Sequence, residues 1–407
     1  MKKITRIVTT VAFFLIISIN YGQDSIKSTK NIIPFINYKT GSGTTGLGIT
    51  TRDSVFQMIF RFRIQSRVGY LSESDTNFTP REFDFRIRRM RLRILGFLFT
   101  PRLKYMVQLS FSRADMDWDV SQVPNVLRDA MITYESKSGF TFGIGQGKLP
   151  GNRQRVISSA DQQFPDRSIV NGALTIDRDA GIFINYANHI KNFHFVIKTA
   201  ITTGEGRNVL KSDKGLAYTG RIEILPFGLF TNGDLFEGDL EREPKPKLSI
   251  GGTASFNHLA LRTGGQLGTY LYAPRSIFSV HADLVFKWKG LAISSEYLYR
   301  TTDSAYTFNG LGAYKYVYMG HGVNSQASYC FKNMCEIAFR HSILIPNDQI
   351  IADENLKSEY GLCFTKYFIK HRLKVQTDFI YHRERDLILL RNESNSFQWR
   401  FQIELGI

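Results

Sequence analysis

Apolar and polar side chains alternate one by one along most of this chain. Between Val55 and Arg67, Phe56, Met58, Phe60, Phe62 and Ile64 share one face, and Gln57, Arg61, Arg63, Gln65 and Arg67 share the other; Ile59 alone breaks the order. A period of two marks a strand with one apolar and one wet face. Further on, Phe278, Val280, Ala282, Leu284, Phe286 and Trp288 oppose Ser279, His281, Asp283 and Lys287. The last segment sets Phe397, Trp399, Phe401, Ile403, Leu405 and Ile407 against Gln398, Arg400, Gln402 and Glu404. Helical periodicity is nearly absent.

The alternation predicts sixteen strands, at 55–67, 83–98, 103–112, 127–135, 139–147, 179–187, 192–202, 216–225, 247–257, 277–288, 291–300, 321–331, 334–342, 358–367, 371–382 and 396–407. Short connections, such as Lys289–Gly290 and Lys332–Asn333, take turns with long ones, such as 68–82, 148–178 and 301–320. Short and long connections in alternation are the pattern of a bacterial outer-membrane barrel, with tight periplasmic turns and long external loops. The connection Pro226–Pro246 breaks this rule, being long and acidic on the short-turn side.

After the first residues no uncharged apolar run approaches the roughly 18 residues of a membrane helix. A chain crossing lipid without helices must close into a barrel to satisfy its backbone. Aromatic residues recur near the predicted strand ends, among them Phe97, Phe99, Tyr134, Phe140, Trp288, Tyr297, Tyr299, Tyr367, Phe368 and Tyr381, as interfacial belts require. The chain therefore reads as all-β, a transmembrane antiparallel β-barrel of about 16 strands.

Export fits this reading. Lys2, Lys3 and Arg6 precede the apolar run Ile7–Ile19, and small Gly22 precedes Gln23, the order of a cleavable signal. Residues 1–22 are expected to be a signal peptide, 23–54 an N-terminal periplasmic lead segment and 55–407 a single barrel. The formal net charge is +16; without Lys2, Lys3 and Arg6 it is +13. A basic balance suits nucleic acid, acidic lipid or an anionic solute, and export removes the first. Cys330, Cys335 and Cys363 are odd in number, so at least one cannot pair within the chain. Cys330 and Cys335 flank a four-residue turn, but their parities differ, which argues against a bridge.

The second predicted strand changes parity midway. Phe83, Phe85 and Ile87 have one parity, and Met90, Leu92 and Ile94 the other. A rigid strand would turn one half inside out, and one inserted residue near Arg88–Arg89 restores the register as a β-bulge. Arg86, Arg88, Arg89, Arg91 and Arg93 then all reach the lumen. Without the bulge some would face lipid, at about 2–4 kcal/mol each near the midplane. Arg61, Arg63 and Arg67 join them by alternation from the neighbouring strand. A guanidinium cluster in a narrow wet passage attracts anions. The competing reading is a general porin in which Asp129, Glu135, Glu223, Asp283, Glu296, Asp378 and Glu404 form an acidic wall opposite.

Phe85-Arg-Ile-Arg-Arg-Met-Arg-Leu92, Leu127-Arg-Asp-Ala-Met-Ile-Thr-Tyr134, Gly145-Gln-Gly-Lys-Leu-Pro-Gly151, Ile176-Asp-Arg-Asp-Ala-Gly181 and Gly220-Arg-Ile-Glu-Ile-Leu-Pro-Phe-Gly228 together resemble the phosphate-selective porin O/P family. The resemblance implies a sixteen-stranded barrel, a homotrimer, and anions or phosphate as permeants within outer-membrane lipid. It also implies that the third external loop, 148–178, folds inward. This loop of about 31 residues is too long for plain linkage. Lys148, Arg153, Arg155 and Arg167 are its candidate constriction residues. Its four arginines (Arg153, Arg155, Arg167, Arg178) and four aspartates (Asp161, Asp166, Asp177, Asp179) suit mutual ion pairing. Val156, Ile157, Phe164, Ile169, Val170 and Leu174 offer it points of packing against a wall.

No nucleophile elbow, metal-ligand spacing or phosphate-loop lysine is present. No enzyme activity, metal or cofactor is therefore expected. An outer-membrane hydrolase and a purely anchoring or binding barrel stand as alternatives of other classes, and conductance in bilayers separates them from a porin.

Overall fold

The structure is a computed structural model that describes residues 32–37, 46–116, 125–209 and 214–407. The expected signal peptide, 1–22, lies outside them. In chain order the strands are β1 (Ile32–Asn37), β2 (Gly46–Thr51), β3 (Phe56–Ser72), β4 (Pro80–Leu98), β5 (Thr100–Ser110), β6 (Leu127–Glu135) and β7 (Phe140–Lys148). Then come β8 (Arg178–Ile190), β9 (Phe193–Thr202), β10 (Ala217–Leu225), β11 (Lys247–Arg262), β12 (Tyr270–Trp288) and β13 (Leu291–Thr302). A small hairpin of β14 (Tyr306–Phe308) and β15 (Tyr314–Tyr316) follows. The last are β16 (Gly320–Cys330), β17 (Cys335–Pro346), β18 (Leu356–Ile369), β19 (Leu373–Arg385) and β20 (Asn392–Gly406).

Sixteen strands, β3–β13 and β16–β20, form a closed antiparallel barrel. The seam joins the two ends of the chain: β20 pairs with β3 from Gln398 opposite Leu71 to Gly406 opposite Arg63. Where β20 ends, β2 takes over the same edge of β3, from Leu47 opposite Phe60 to Thr50 opposite Gln57. β1 in turn pairs with β2. Each of the sixteen predicted segments is a barrel strand. Several run further than the alternation indicated, β3 to Ser72 and β12 from Tyr270. These extensions lie toward the long-loop end, where no lipid demands an apolar face and the period-two signal fades while the ladder continues.

The polarity of the molecule is inverted relative to a soluble domain. Phe85, Ile222 and Phe379 are 71%, 56% and 52% exposed on the outside. Arg340, Lys374 and Asp378 are fully buried inside. Among the described residues no helix is long and apolar enough to cross a membrane; the strands cross it. Phe99, Trp288 and Phe368 are exposed at strand ends as expected, whereas Tyr297 is exposed in the middle of β13. Tyr367 is a correction: its phenol points inward and donates to Glu336 at 2.6 Å. All three cysteines are free.

The tight turns are sterically specific. Lys289 and Gly290 both have positive φ, 51° and 98°, the geometry that matches the twist of a two-residue hairpin. The bulge in β4 lies where the parity break predicts it. Gln65 faces Arg89 while Ser66 faces Ile87, which leaves Arg88 as the extra residue. A second bulge, unforeseen, lies in β6: Gln108 faces Asp129 and Leu109 faces Leu127, with Arg128 unpaired between.

Candidate functional site

The third long connection runs inside the barrel. It carries two short helices, Arg153–Val156 and Ile169–Leu174. Val170 and Leu174 pack on Leu298 and Leu344 of the wall, and Phe164 packs on Ala338 and Cys363. Gly361 makes room for it, since a Cβ there would come within 2.9 Å of the Phe164 ring. The Arg340 guanidinium lies 4.0 Å from the centre of that ring.

Polar bonds hold the loop mainly to the wall, and less to itself than its balanced charges suggested. Arg155 and Arg178 both bond Asp177, at 2.5 and 3.2 Å. Asp166, however, accepts ion pairs from four wall arginines: Arg67, Arg88 at 2.9 Å, Arg89 at 3.3 Å and Arg400 at 3.2 Å. Burial alone would raise the Asp166 carboxyl, but Arg88, Arg67, Arg400 and Arg89 hold it well below the usual carboxylate range. Asp179 accepts the hydroxyls of Thr202 and Thr203 and the N–H groups of Gly204 and Gly206. That glycine turn therefore holds a side-chain carboxylate.

Cavities border the loop on two sides: one of about 410 Å³ touches Gly172, Ala173 and Thr175 and is lined across from them by Arg300, Lys315, Tyr318 and Glu354, and an outer and an inner one lie on the other side. The outer one, about 290 Å³, includes Arg88, Arg89, Arg91, Arg128, Lys148, Arg155, Arg167, Arg178 and Arg207 in its lining, against Asp115, Asp166 and Asp177. The inner one, about 550 Å³, has Arg93 and Lys148 against Asp129, Asp161 and Asp234. Lys148 borders both, and its ammonium is fixed by the Val156 carbonyl at 2.7 Å. The outer and inner cavities lie against the β4–β8 side of the barrel.

The sequence-predicted residues fall into three groups. Arg88, Arg89, Arg91, Lys148, Arg155 and Arg167 line the outer cavity and Arg93 the inner one. Arg61, Arg63, Arg67 and Arg86 share the inward face with them, opposite Arg93, Arg91 and, for the pair Arg67 and Arg86, each other. Arg63 donates to Ser159 at 2.9 Å, Arg67 to Asp84 at 2.7 Å, and Arg86 also pairs with Asp84 at 2.7 Å. Arg153 stands apart. It is buried and spans the lumen to Asp283, Asp234 and Ser249, each at 2.7 Å, and it lines neither cavity. It pins the loop to the far wall.

The acidic residues of the general-porin reading are occupied. Glu296 accepts the Gln154 N–H at 2.6 Å, Asp378 binds Arg400 at 2.5 Å and Glu404 accepts from Gln65 at 2.7 Å. These carboxylates bond neighbouring groups and do not form a bare surface. Sequence reading missed Arg128, Arg178 and Arg207 as lining of the outer cavity. For Arg128 the only signal was apolar Leu127 at odd parity before Ile132 and Tyr134 at even parity. Among the described residues no group of His, Cys, Asp and Glu is arranged to hold a metal ion.

Residues 58–228 match the family model described as "Phosphate-selective porin O and P". No curated protein matches the chain in sequence. Among solved structures, the chain is similar to the anion-selective porin from Comamonas acidovorans, with a TM-score of 0.55 at 11% identity over 86% of this chain and 99% of that one. It is also similar to the outer-membrane channel DcaP of Acinetobacter baumannii, with a TM-score of 0.53 at 10% identity over 88% and 99%. The trimer form of OmpT from Vibrio cholerae gives 0.52 at 8% identity over 87% and 100%. At such identities these likenesses show the barrel fold.

Proposed function

We propose, from the premise that this chain belongs by its residues 58–228 to the phosphate-selective porin O and P family, that its channel passes small anions in preference to cations. The protein is a porin of a Gram-negative outer membrane. The observation that carries anion preference is the lining of the outer cavity, where nine basic side chains meet three carboxylates. Fixed guanidinium groups in a confined wet passage raise the local anion concentration. Their planar paired donors suit phosphate oxygens better than a point charge does, so inorganic phosphate is the favoured permeant. The Comamonas porin is described as anion-selective, and we extend that property to this chain. We likewise extend to it the trimer described for the Vibrio protein.

The test is a reversal potential across a KCl gradient in a planar bilayer. The wild type is expected to show the sign of an anion-preferring channel, and inorganic phosphate is expected to depress its chloride current. Replacing Arg88, Lys148 and Arg155 by Ala should move the reversal potential toward zero. A cation-type potential in the wild type sinks the proposal, and a value near zero returns the protein to the general porins.

A further inference from the structure

The connection 226–246 belongs to the short-turn end, yet it rises into the lumen and meets the third loop there. The Glu237 N–H donates to the Asp161 carbonyl at 3.1 Å. The buried Glu237 carboxylate accepts from the Gln163 N–H at 2.8 Å and from Gln326 at 3.2 Å. Lys287 donates to the Phe236 carbonyl at 2.7 Å, and the Phe236 ring stacks on His371 at 5.3 Å. The base is fixed as well, since Asp239 accepts the Gly290 N–H at 2.7 Å. The connection thus comes up from the periplasmic side and the third loop down from the outer side. Together they fill the lumen away from β4–β8 at the level where they meet, and the cavity beside Gly172, Arg300 and Tyr318 lies toward the long-loop end.

The tip of this connection also forms one side of the inner cavity, through Asp234, Leu235 and Phe236. The excess of positive charge ends there. The outer cavity is strongly basic, whereas the inner one sets Asp129, Asp161 and Asp234 against Arg93 and Lys148, with Asp129 also held by Arg178 at 2.8 Å and Asp234 by Arg153 at 2.7 Å. We propose that the connection 226–246 is the inner half of an asymmetrically charged pore: it confines ions to the β4–β8 side and, through Asp234, keeps the periplasmic end balanced against a basic outer end, so that the channel conducts asymmetrically. This rests on the porin reading. With the periplasmic side positive, anions concentrated in the basic end are driven past the junction at Lys148 and ions accumulate in the balanced end. With the opposite voltage the basic end bars the cations that would refill it, and the balanced end is depleted. Conductance is therefore larger with the periplasmic side positive. The asymmetry needs a Debye length comparable to the pore, about 10 Å at 0.1 M salt and about 3 Å at 1 M.

Current–voltage curves of channels inserted from one side of a bilayer test this. The wild type should rectify at 0.1 M KCl and become nearly linear at 1 M. Asp161→Asn with Asp234→Asn should lower the ratio of currents at opposite voltages while the barrel stays folded, because Arg153 keeps Asp283 and Ser249. Replacing 229–244 by an Asn-Gly turn should raise conductance several-fold and abolish rectification, with heat-modifiable gel mobility as the check on folding. A linear wild-type curve at 0.1 M overturns the proposal. So does an unchanged current ratio in the double variant, which would assign the asymmetry to the arginines alone. An anion-type reversal potential with a linear curve sinks this inference and leaves the proposed function standing; rectification with a cation-type potential does the reverse.

Discussion

Arg61 stands opposite Arg93, Arg63 opposite Arg91 and Arg67 opposite Arg86 across the β3–β4 pair. Like charges in direct cross-strand register oppose pairing. They persist here because water fills the lumen and because carboxylates are interleaved, Asp115 on Arg91 at 2.6 Å and Asp166 on Arg88 and Arg89. Alternation and the parity break made the arginines themselves legible. Their partners were not, since Asp115 and Asp166 come from loops. Asp161 allows a test at this scale. Burial, and then the neighbouring Glu404 charge, push its carboxyl up to about 6 against the pull of Arg63, Lys374 and Arg61. His371, 3.9 Å away, has its pKa held well below the usual imidazole value by burial and by Lys374 and Lys287, so it stays neutral through this window. Lowering the pH from 7 to 5 therefore protonates Asp161 and removes a negative charge from the inner cavity. Anion preference is expected to rise and rectification to fall over that interval. In Asp161→Asn the pH step should vanish; a step of full size in the variant assigns it to another group.

At the scale of elements, two one-residue insertions do the work of aiming. The bulges at Arg88 and Arg128 turn two consecutive side chains inward, Arg88 with Arg89 and Arg128 with Asp129. The first was readable because three apolar residues on each side declare the parity. The second was hidden because only Leu127 precedes it within the strand. The third loop docks Phe164, Val170 and Leu174 on the wall. Arg153 shows where composition misleads: an arginine in a loop that borders the pore serves as a tie to Asp283 and Asp234. Deleting residues 152–174 should raise single-channel conductance several-fold and weaken anion preference, because Arg155 and Arg167 leave with the loop. Single-channel recording of the folded variant checks this. Unchanged conductance would move the constriction elsewhere.

At the scale of the whole molecule, the barrel is a sheet sorted by two solvents. The apolar outside fits hydrocarbon, and the buried polar inside fits a wet lumen narrowed by loops. The protein without residues 1–22 is expected in the outer-membrane fraction, and mild cross-linking should capture a trimer. A monomer mass in gentle detergent would dismiss the trimer. Strand count, order and which face meets lipid were all determined by the sequence alone. The reason is local: alternation is imposed residue by residue wherever one face meets lipid and the other water. Only the tertiary structure decided which connections fill the barrel and where the open path lies. Gln163 meets Glu336, Arg153 meets Asp283 and Glu237 meets Gln326, pairs brought together only when the sheet closes. Nothing along one strand records what will stand across the lumen from it. The position of the pore against β4–β8, and the balance of charge at each of its ends, are therefore properties of the closed barrel.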